Sequence, residues 1–235
     1  MSRYKLRANY DIENIDSQKM DGTVIVDVPM LSNGELNYGL SHIKKKLYEE
    51  NVYPSEIGFD IMSLATMVYM ADTRIERVVH GQDSWTREIE LEIPVSNVEI
   101  WDSQIRTVER MLKFLTGDLW KITLSSRAWQ FNNLEEVREK SNKYDEVSLF
   151  SGGMDSLIST INLMENKKNT LLISHAGEGL TKNAQKNIVN KFDLLYPDVL
   201  HTWLDLWMVF PRDYIPAGGN DNNTRSRSFL FIGYA

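Results

Sequence analysis

The chain contains one short segment whose residue types suit phosphate chemistry, Ser151-Gly152-Gly153-Met154-Asp155-Ser156. It follows an apolar, strand-like segment that ends at Phe150 and runs directly into an amphipathic helical pattern from Leu157. Two glycines at a strand-to-helix turn allow positive φ angles and a close approach of the backbone to a ligand. The unpaired amides of a helix start, together with the helix dipole, favour an anion at the same point. The segment therefore predicts a phosphate-binding loop.

Asp155 adds a second element to this prediction. A carboxylate next to a phosphate is repulsive unless a cation lies between them, and Mg²⁺ is the cation that bridges carboxylates and phosphates. We therefore expect phosphate together with Mg²⁺, with Asp155 as the metal ligand.

The segment resembles the S-G-G-x-D-S loop of the ATP pyrophosphatases, the PP-loop superfamily. This resemblance implies an α/β fold with a parallel, doubly wound sheet of the adenine nucleotide alpha hydrolase type. It implies ATP cleavage between the α and β phosphates, with adenylation of a carboxyl or amide oxygen. It also implies that Ser151, Gly152, Gly153 and Ser156 hold the pyrophosphate. Asp155 and Ser156 are the expected catalytic residues.

Other interpretations of the same residues are weaker. A Gly-Gly turn with a Ser or Asp helix cap occurs in any strand-to-helix unit and needs no ligand. A Walker A loop requires a Lys after its second Gly, and none follows here. A serine hydrolase role for Ser151 or Ser156 is disfavoured because the G-x-S-x-G elbow is absent.

Composition limits the class of protein. The chain has 235 residues, of which 42% are hydrophobic and 25% charged, as in soluble globular proteins. It has no run of 18 apolar residues and no signal-peptide pattern at its start, so we expect a cytoplasmic location and no membrane partner. The absence of cysteine excludes disulfides, thiolate chemistry and Cys-ligated zinc within these residues.

The net charge of −7 is distributed unevenly. From Ser151 onward, eight acidic residues balance eight basic ones, so the whole acidic excess lies in residues 1–150. Nucleic-acid affinity depends on Lys and Arg neutralising phosphates. A nucleic-acid partner, including a tRNA substrate, is therefore disfavoured.

The front of the chain mixes strand and helix patterns. Residues 1–20 are polar without clear periodicity, which predicts a loose arm. Strict alternation over Arg87–Ile93 predicts a half-buried strand that ends at Pro94. Helical spacing predicts one helix from about Asp102 to Thr116. We expect an α+β N-terminal domain over residues 1–140.

The polar stretch Asn132–Tyr144 is equally compatible with a solvated helix and with a linker, and we place the domain boundary there. Beyond it, strand and helix patterns alternate, which predicts a parallel sheet and the N-terminal part of a PP-loop ATP-binding domain over residues 141–235. Ligands bind at the carboxyl ends of such strands, so the loops after Phe150 and Ser174 should share one crevice. The expected elements are strands at 145–150, 170–174 and 199–204 and helices at 156–166 and 181–195.

A narrower resemblance involves further segments. Arg227-Ser-Phe-Leu-Phe-Ile232 resembles the region near the nucleotide in 7-cyano-7-deazaguanine (QueC) synthases, which makes Arg227 a nucleotide-binding candidate. Ala71–Arg74, Trp85–Ile89 and Phe114–Trp120 resemble the N-terminal region of QueC-like proteins of bacterial anti-phage defence, the QatC-like type. The plainer interpretation is that Arg227 begins a helix and that Trp85, Trp101 and Trp120 belong to a core.

Two departures from the synthases concern the acceptor. The synthases carry a cysteine-built zinc site near their C-terminus; we expect zinc only beyond Ala235, with the chain truncated there. The stretch Ser174-His175-Ala-Gly-Glu-Gly179 lacks the usual acidic, tyrosine-containing pattern. Ser174 and His175 are nucleotide-binding candidates, with His175 placed to contact adenine. A lone histidine is more often structural.

Two functions follow as expectations. The first is an ATP-dependent ligase or synthase that forms AMP and pyrophosphate and adenylates a small-molecule or protein acceptor, deazapurine-related and working in anti-phage defence. The second is a non-catalytic nucleotide-binding or scaffold subunit of a defence complex, with protein partners from the same locus.

Overall fold

The computed structural model describes residues 3–131, 143–175, 179–208, 210–223 and 225–235. The chain is α/β, and most of its paired strands run parallel. None of the helices in the described ranges combines the length and apolar character needed to cross a membrane. In chain order the elements are β1 Arg3–Asn9, β2 Asp16–Met20, β3 Thr23–Pro29, β4 Leu31–Ser32, β5 Glu35–Leu36, α1 Leu40–Glu49, α2 Glu56–Arg74, α3 Arg77–His80, β6 Glu88–Val95, α4 Val98–Asp102, α5 Ile105–Thr116, β7 Leu119–Ser126, β8 Glu146–Leu149, α6 Met154–Glu165, β9 Thr170–His175, α7 Gly179–Leu195, β10 His201–Leu206 and α8 Arg227–Tyr234.

The chain packs into two units that do not follow a single cut at residue 140. Unit 1 comprises residues 1–38, 54–136 and 210–233, and unit 2 comprises residues 39–53, 137–209 and 234–235. The helix α1 thus belongs with the later strands, whereas the segment from Phe210 belongs with the front of the chain. The boundary expected in Asn132–Tyr144 stays a prediction, because residues 132–142 lie outside the described residues.

Unit 1 contains a five-stranded sheet in the order β2-β3-β1-β6-β7. The strand β1 pairs in parallel with β3 and β6, β6 pairs in parallel with β7, and only β2 is antiparallel to its neighbour. The helix α2 packs on this sheet and is buried along most of its length. Helices and parallel strands alternate in this unit as well, beside the antiparallel pairing of β2 with β3. The α+β N-terminal domain expected over residues 1–140 stays a prediction.

The prediction that residues 1–20 form a loose arm is wrong, since β1 is the middle strand of the unit 1 sheet. Tyr4, Leu6 and Ala8 are buried on one face and alternate with basic residues on the other. Lys5 on the polar face lies 2.9 Å from the carboxylate of Glu92 on the neighbouring strand. The basic residues of this face, Arg3, Lys5 and Arg7, pair with acidic residues of the two neighbouring strands and not with residues close to them in sequence.

Two element boundaries also differ from the sequence prediction. Pro94 does not end β6, because the pairing of β1 with β6 stops at Glu92 while β7 continues opposite Pro94 and Val95. Proline lacks an N–H group, so it is tolerated where one side of a strand needs no donor. The helix expected from about Asp102 to Thr116 is α5, which begins three residues later at Ile105 and ends at Thr116 as predicted. The short helix α4, Val98–Asp102, precedes it and was not predicted.

Unit 2 contains a three-stranded parallel sheet in the order β8-β9-β10. Every residue of the middle strand β9 is buried. The core between the sheet and α7 comprises Phe150, Leu172, Val189 and Phe192, and Leu157 and Ile161 of α6 pack against it. Because the strands are parallel, their carboxyl ends meet at one edge, to which Ser151, His175 and Leu206 all belong.

Candidate phosphate-binding loop

The loop Ser151–Gly153 joins the end of β8 to the first turn of α6. Phe150 anchors it from behind, since its side chain is fully buried and its N–H donates to the carbonyl of Ile173 on β9. Gly152 has a φ angle of +84°, the left-handed conformation that the sequence predicted for a glycine at this turn. Gly153 is extended, with φ −83° and ψ 170°, and is the N-cap residue of α6.

The loop hydroxyls lie on one side of the turn. The Oγ of Ser151 accepts a hydrogen bond from the N–H of Gly153 at 3.3 Å and lies 3.2 Å from the Oγ of Ser156. The Ser156 hydroxyl donates to the carbonyl of Gly153 at 2.9 Å. Hydroxyl protons rotate freely, so both groups can turn a donor toward an incoming anion.

The first turn of α6 supplies further donors. Gly153 has no side chain that could cap the helix, and the first amide with a helical partner is that of Leu157, which donates to Gly153. The amides of Met154, Asp155 and Ser156 precede this bond and have no partner within the helix. Together with the helix dipole they form a cradle for an anion such as a phosphate.

Asp155 lies in this first turn and is exposed. Mg²⁺ usually keeps several waters and binds one or two carboxylates together with the phosphates of a nucleotide. A single exposed carboxylate beside an anion cradle fits that requirement. Within the described ranges no three side chains of His, Asp or Glu come together as a metal cage of their own.

Gln185 of α7 contacts the backbone of the loop and was not among the residues predicted from the sequence. Its Nε2 donates to the carbonyl of Ser151 at 2.9 Å and lies 3.5 Å from that of His175, while the side chain is fully buried. A Cβ added at Gly152 would lie 3.0 Å from the Cγ of Gln185. Helical spacing could have identified it, because Gln185 shares a buried face of α7 with Val189 and Phe192. A buried polar side chain on such a face is expected to have a hydrogen-bond partner.

Ser174 and His175, the other candidates from unit 2, lie at the end of β9 next to the loop strand. Their side chains are 0% and 1% exposed, so neither presents a surface to a ligand in this arrangement. The Oγ of Ser174 accepts a hydrogen bond from the indole N–H of Trp203 at 2.6 Å. Gln185 joins this strand end to the loop, and the crevice expected between the loops after Phe150 and Ser174 stays a prediction. The stretch that follows, residues 176–178, lies outside the described residues.

Arg227 belongs to unit 1, whereas the loop belongs to unit 2. It begins α8, is half-buried, and its guanidinium carbon lies 5.4 Å from the ring centre of Phe231. The structure therefore does not bring Arg227 and the loop together within one unit, and its role at a nucleotide stays a prediction.

Comparison of the chain with known protein families, with curated proteins and with solved structures returns no match.

Proposed function

We propose that the chain binds Mg²⁺-ATP at the Ser151–Ser156 loop and cleaves it between the α and β phosphates, as PP-loop ATP pyrophosphatases do. One observation carries the proposal. The S-G-G-x-D-S sequence forms a strand-to-helix turn at the carboxyl edge of a parallel sheet, where its hydroxyls and free amides converge. This is the place where open α/β sheets bind ligands.

Each loop residue has a role in this proposal. The amides of the α6 start and the hydroxyls of Ser151 and Ser156 bind the departing pyrophosphate and stabilise the charge that develops on it. Asp155 would hold Mg²⁺, which would supply positive charge to offset that of the phosphates. Gly152 and Gln185 keep the loop in the conformation that aims these groups at one point.

The reaction adenylates an acceptor. An oxygen of the acceptor carboxylate or amide attacks the α-phosphorus, and the bond from that phosphorus to the bridging oxygen of pyrophosphate breaks. The products of this step are an acceptor adenylate and pyrophosphate. A nitrogen nucleophile, such as ammonia or an amine, then attacks the activated carbon of the acceptor and displaces AMP, and neither step requires an oxidant or a reductant. The resemblance to QueC-like defence proteins makes a deazapurine-related carboxylate the proposed acceptor.

The test measures Mg²⁺-ATP binding and product identity with the full chain. We expect Ser151→Ala and Asp155→Asn to weaken Mg²⁺-ATP binding at least tenfold, with AMP and pyrophosphate as the products of turnover. Ser159→Ala and Asp198→Asn are matched controls, because both residues are exposed and lie outside the loop. Release of ADP and phosphate, or equal binding by loop and control variants, would contradict the proposal.

A second candidate is a non-catalytic nucleotide-binding or scaffold subunit, favoured by the concentration of the whole acidic excess in residues 1–150. Such a surface suits docking to a basic partner. In that case Asp155→Asn would leave biological activity intact, whereas charge reversal on the exposed acidic residues of unit 1 would abolish it.

A further inference from the structure

A second charged cluster lies at the same carboxyl edge of the unit 2 sheet, at the end of β10. Asp205, which is opposite Ser174 in the strand register, is only 8% exposed. One of its carboxylate oxygens pairs with the ammonium of Lys46, and the other lies 2.5 Å from that of Lys182. His42 adds its Nε2 at 3.7 Å. We refer to Lys46 and Lys182 as the lysine pair and to Asp205 as its carboxylate partner.

The backbone holds the members of this cluster close together. Gly39, just before α1, has a φ angle of +80°, and a Cβ there would lie 2.6 Å from the carbonyl oxygen of Trp207. Only a glycine permits that approach of α1 to the end of β10. His42 and Lys46 are four residues apart and share one face of α1, and this face is directed at Asp205.

The cluster retains a net positive charge and ammonium N–H donors that can still bind a ligand. One carboxylate cannot neutralise two ammonium groups, so a net positive charge remains. Each ammonium carries three N–H donors, and within the described part of the chain Asp205 is the hydrogen-bond partner of both. The side chains of Lys46 and Lys182 are 28% and 39% exposed, so the remaining donors are within reach of a ligand.

An aromatic surface borders the pair. The indole of Trp207 is 42% exposed, and the Nζ of Lys182 lies 5.5 Å from its ring centre. An ammonium beside an exposed ring suits a ligand that carries an acidic group on a flat body.

The pair lies close to the nucleotide loop. Lys182 and Gln185 are three residues apart on α7, and Gln185 donates to the carbonyl of Ser151. The strands β8 and β10 are separated only by β9, so two strand spacings, about 10 Å, separate the two strand ends. That span accommodates a second substrate beside a bound nucleotide.

We propose that Lys46 and Lys182 form an oxyanion subsite, built on Asp205, that binds the acidic group of the acceptor, a carboxylate or a phosphate. The role as an acceptor site rests on the proposed function, whereas the binding of an oxyanion does not.

The test uses the full chain with 5-fluorotryptophan in place of its six tryptophans. The ¹⁹F resonance of Trp207, assigned with Trp207→Phe, is followed while benzoate or inorganic phosphate is added. We expect a saturable shift. Lys46→Gln and Lys182→Gln should each weaken binding at least tenfold, whereas Lys46→Arg and Lys182→Arg should keep it. Saturation by benzoate identifies a carboxylate site, and saturation by phosphate alone identifies a phosphate site.

Two controls separate this subsite from the loop and from general charge effects. Lys186→Gln removes an exposed charge from the same helix and should leave the titration unchanged. Ser151→Ala should weaken Mg²⁺-ATP binding but not benzoate or phosphate binding at Trp207. A failure of ATP binding with intact oxyanion binding would overturn only the proposed function. The subsite is overturned by the absence of a saturable shift, by a shift retained in both Gln variants, or by a shift lost in Ser151→Ala.

Discussion

Gly152 and Gly153 stand side by side in the loop for different physical reasons. Gly152 has a positive φ angle, and a Cβ there would make a tight contact of 3.0 Å with the Cγ of Gln185. Gly153 has an ordinary extended conformation, and a Cβ there would meet only the Oγ of Ser151 at 3.5 Å. The fold itself therefore does not require glycine at position 153, and under the proposed function a side chain there would obstruct the approach of the nucleotide to the backbone.

This difference predicts opposite effects of two alanine substitutions. Gly152→Ala should lower the free energy of unfolding by about 1–2 kcal/mol, because it adds left-handed strain and a close contact. Gly153→Ala should change stability by less than about 0.5 kcal/mol and still weaken Mg²⁺-ATP binding. Urea unfolding and ATP titration measure the two effects, with Gly179→Ala as the control in open space. Equal stability losses for both loop variants would refute this account of the loop.

At the scale of elements, sequence patterns predicted the strand–loop–helix unit around Ser151 and the alternation that follows it. These features depend on neighbours in sequence, such as the apolar run before Phe150 and the helical spacing of Val189 and Phe192. The strand β1 was missed because the acidic partners of its basic face lie on other strands, with Glu88 and Glu92 on β6 about 85 residues away and Asp27 on β3. The ion pair between Lys46 and Asp205 joins residues 159 positions apart, and local sequence patterns cannot predict such a pair.

The Asp205 cluster predicts a specific pH dependence of unit 2. Burial alone raises the pKa of Asp205, but hydrogen bonds and charge from Lys182 and Lys46 outweigh it and hold the pKa at about 2. A folded-state pKa below the unfolded value stabilises the fold above that unfolded value, near pH 4. The stabilisation is lost as the pH falls from about 4 to about 2. With both lysines partly exposed, we expect about 1–2 kcal/mol.

Urea unfolding of the wild type and of Asp205→Asn between pH 2 and pH 7 measures this contribution. The two stability curves should converge as the pH approaches 2 and separate above pH 4. Asp198→Asn is the matched control, because its carboxylate is exposed. A constant difference between wild type and Asp205→Asn across the whole range would show that Asp205 acts through packing rather than through charge.

At the scale of the whole molecule, the chain passes from unit 1 into unit 2 and returns to unit 1 over residues 210–233. Hydrogen bonds explain why this returning segment belongs to unit 1. The backbone N–H of Ser226 donates to the carboxylate of Asp72 at 3.1 Å, and the amide of Asn223 donates to the Asp72 carbonyl at 3.0 Å. The N–H of Asp221 donates to the carbonyl of Thr73. These partners lie some 150 residues apart in sequence, so a domain boundary drawn from local composition could not include them.

The same region of unit 1 is built on a buried ion cluster. Arg87 is 1% exposed and bonds to both Asp72 and Asp118, which are fully buried. Asp118 also accepts two hydrogen bonds from Arg77 and one from the backbone N–H of Arg87. Burial raises the pKa of Asp118, but these arginine contacts outweigh it and lower the pKa below its ordinary value. The carboxylate therefore stays ionised and pairs with two guanidinium groups, while Asp72 supplies the second negative charge that they need.

Removing that charge should be among the most destabilising single changes in unit 1. Asp118→Asn keeps the size of the side chain but leaves Arg77 and Arg87 under-neutralised in a buried site, which costs about 3–5 kcal/mol. Lys121→Gln, nearby on β7, breaks a pair with Glu90 whose lysine is 70% exposed, and should cost less than about 1 kcal/mol. Urea unfolding at neutral pH compares the two variants. A similar small loss for both would mean that packing, and not the buried charge cluster, holds unit 1 together.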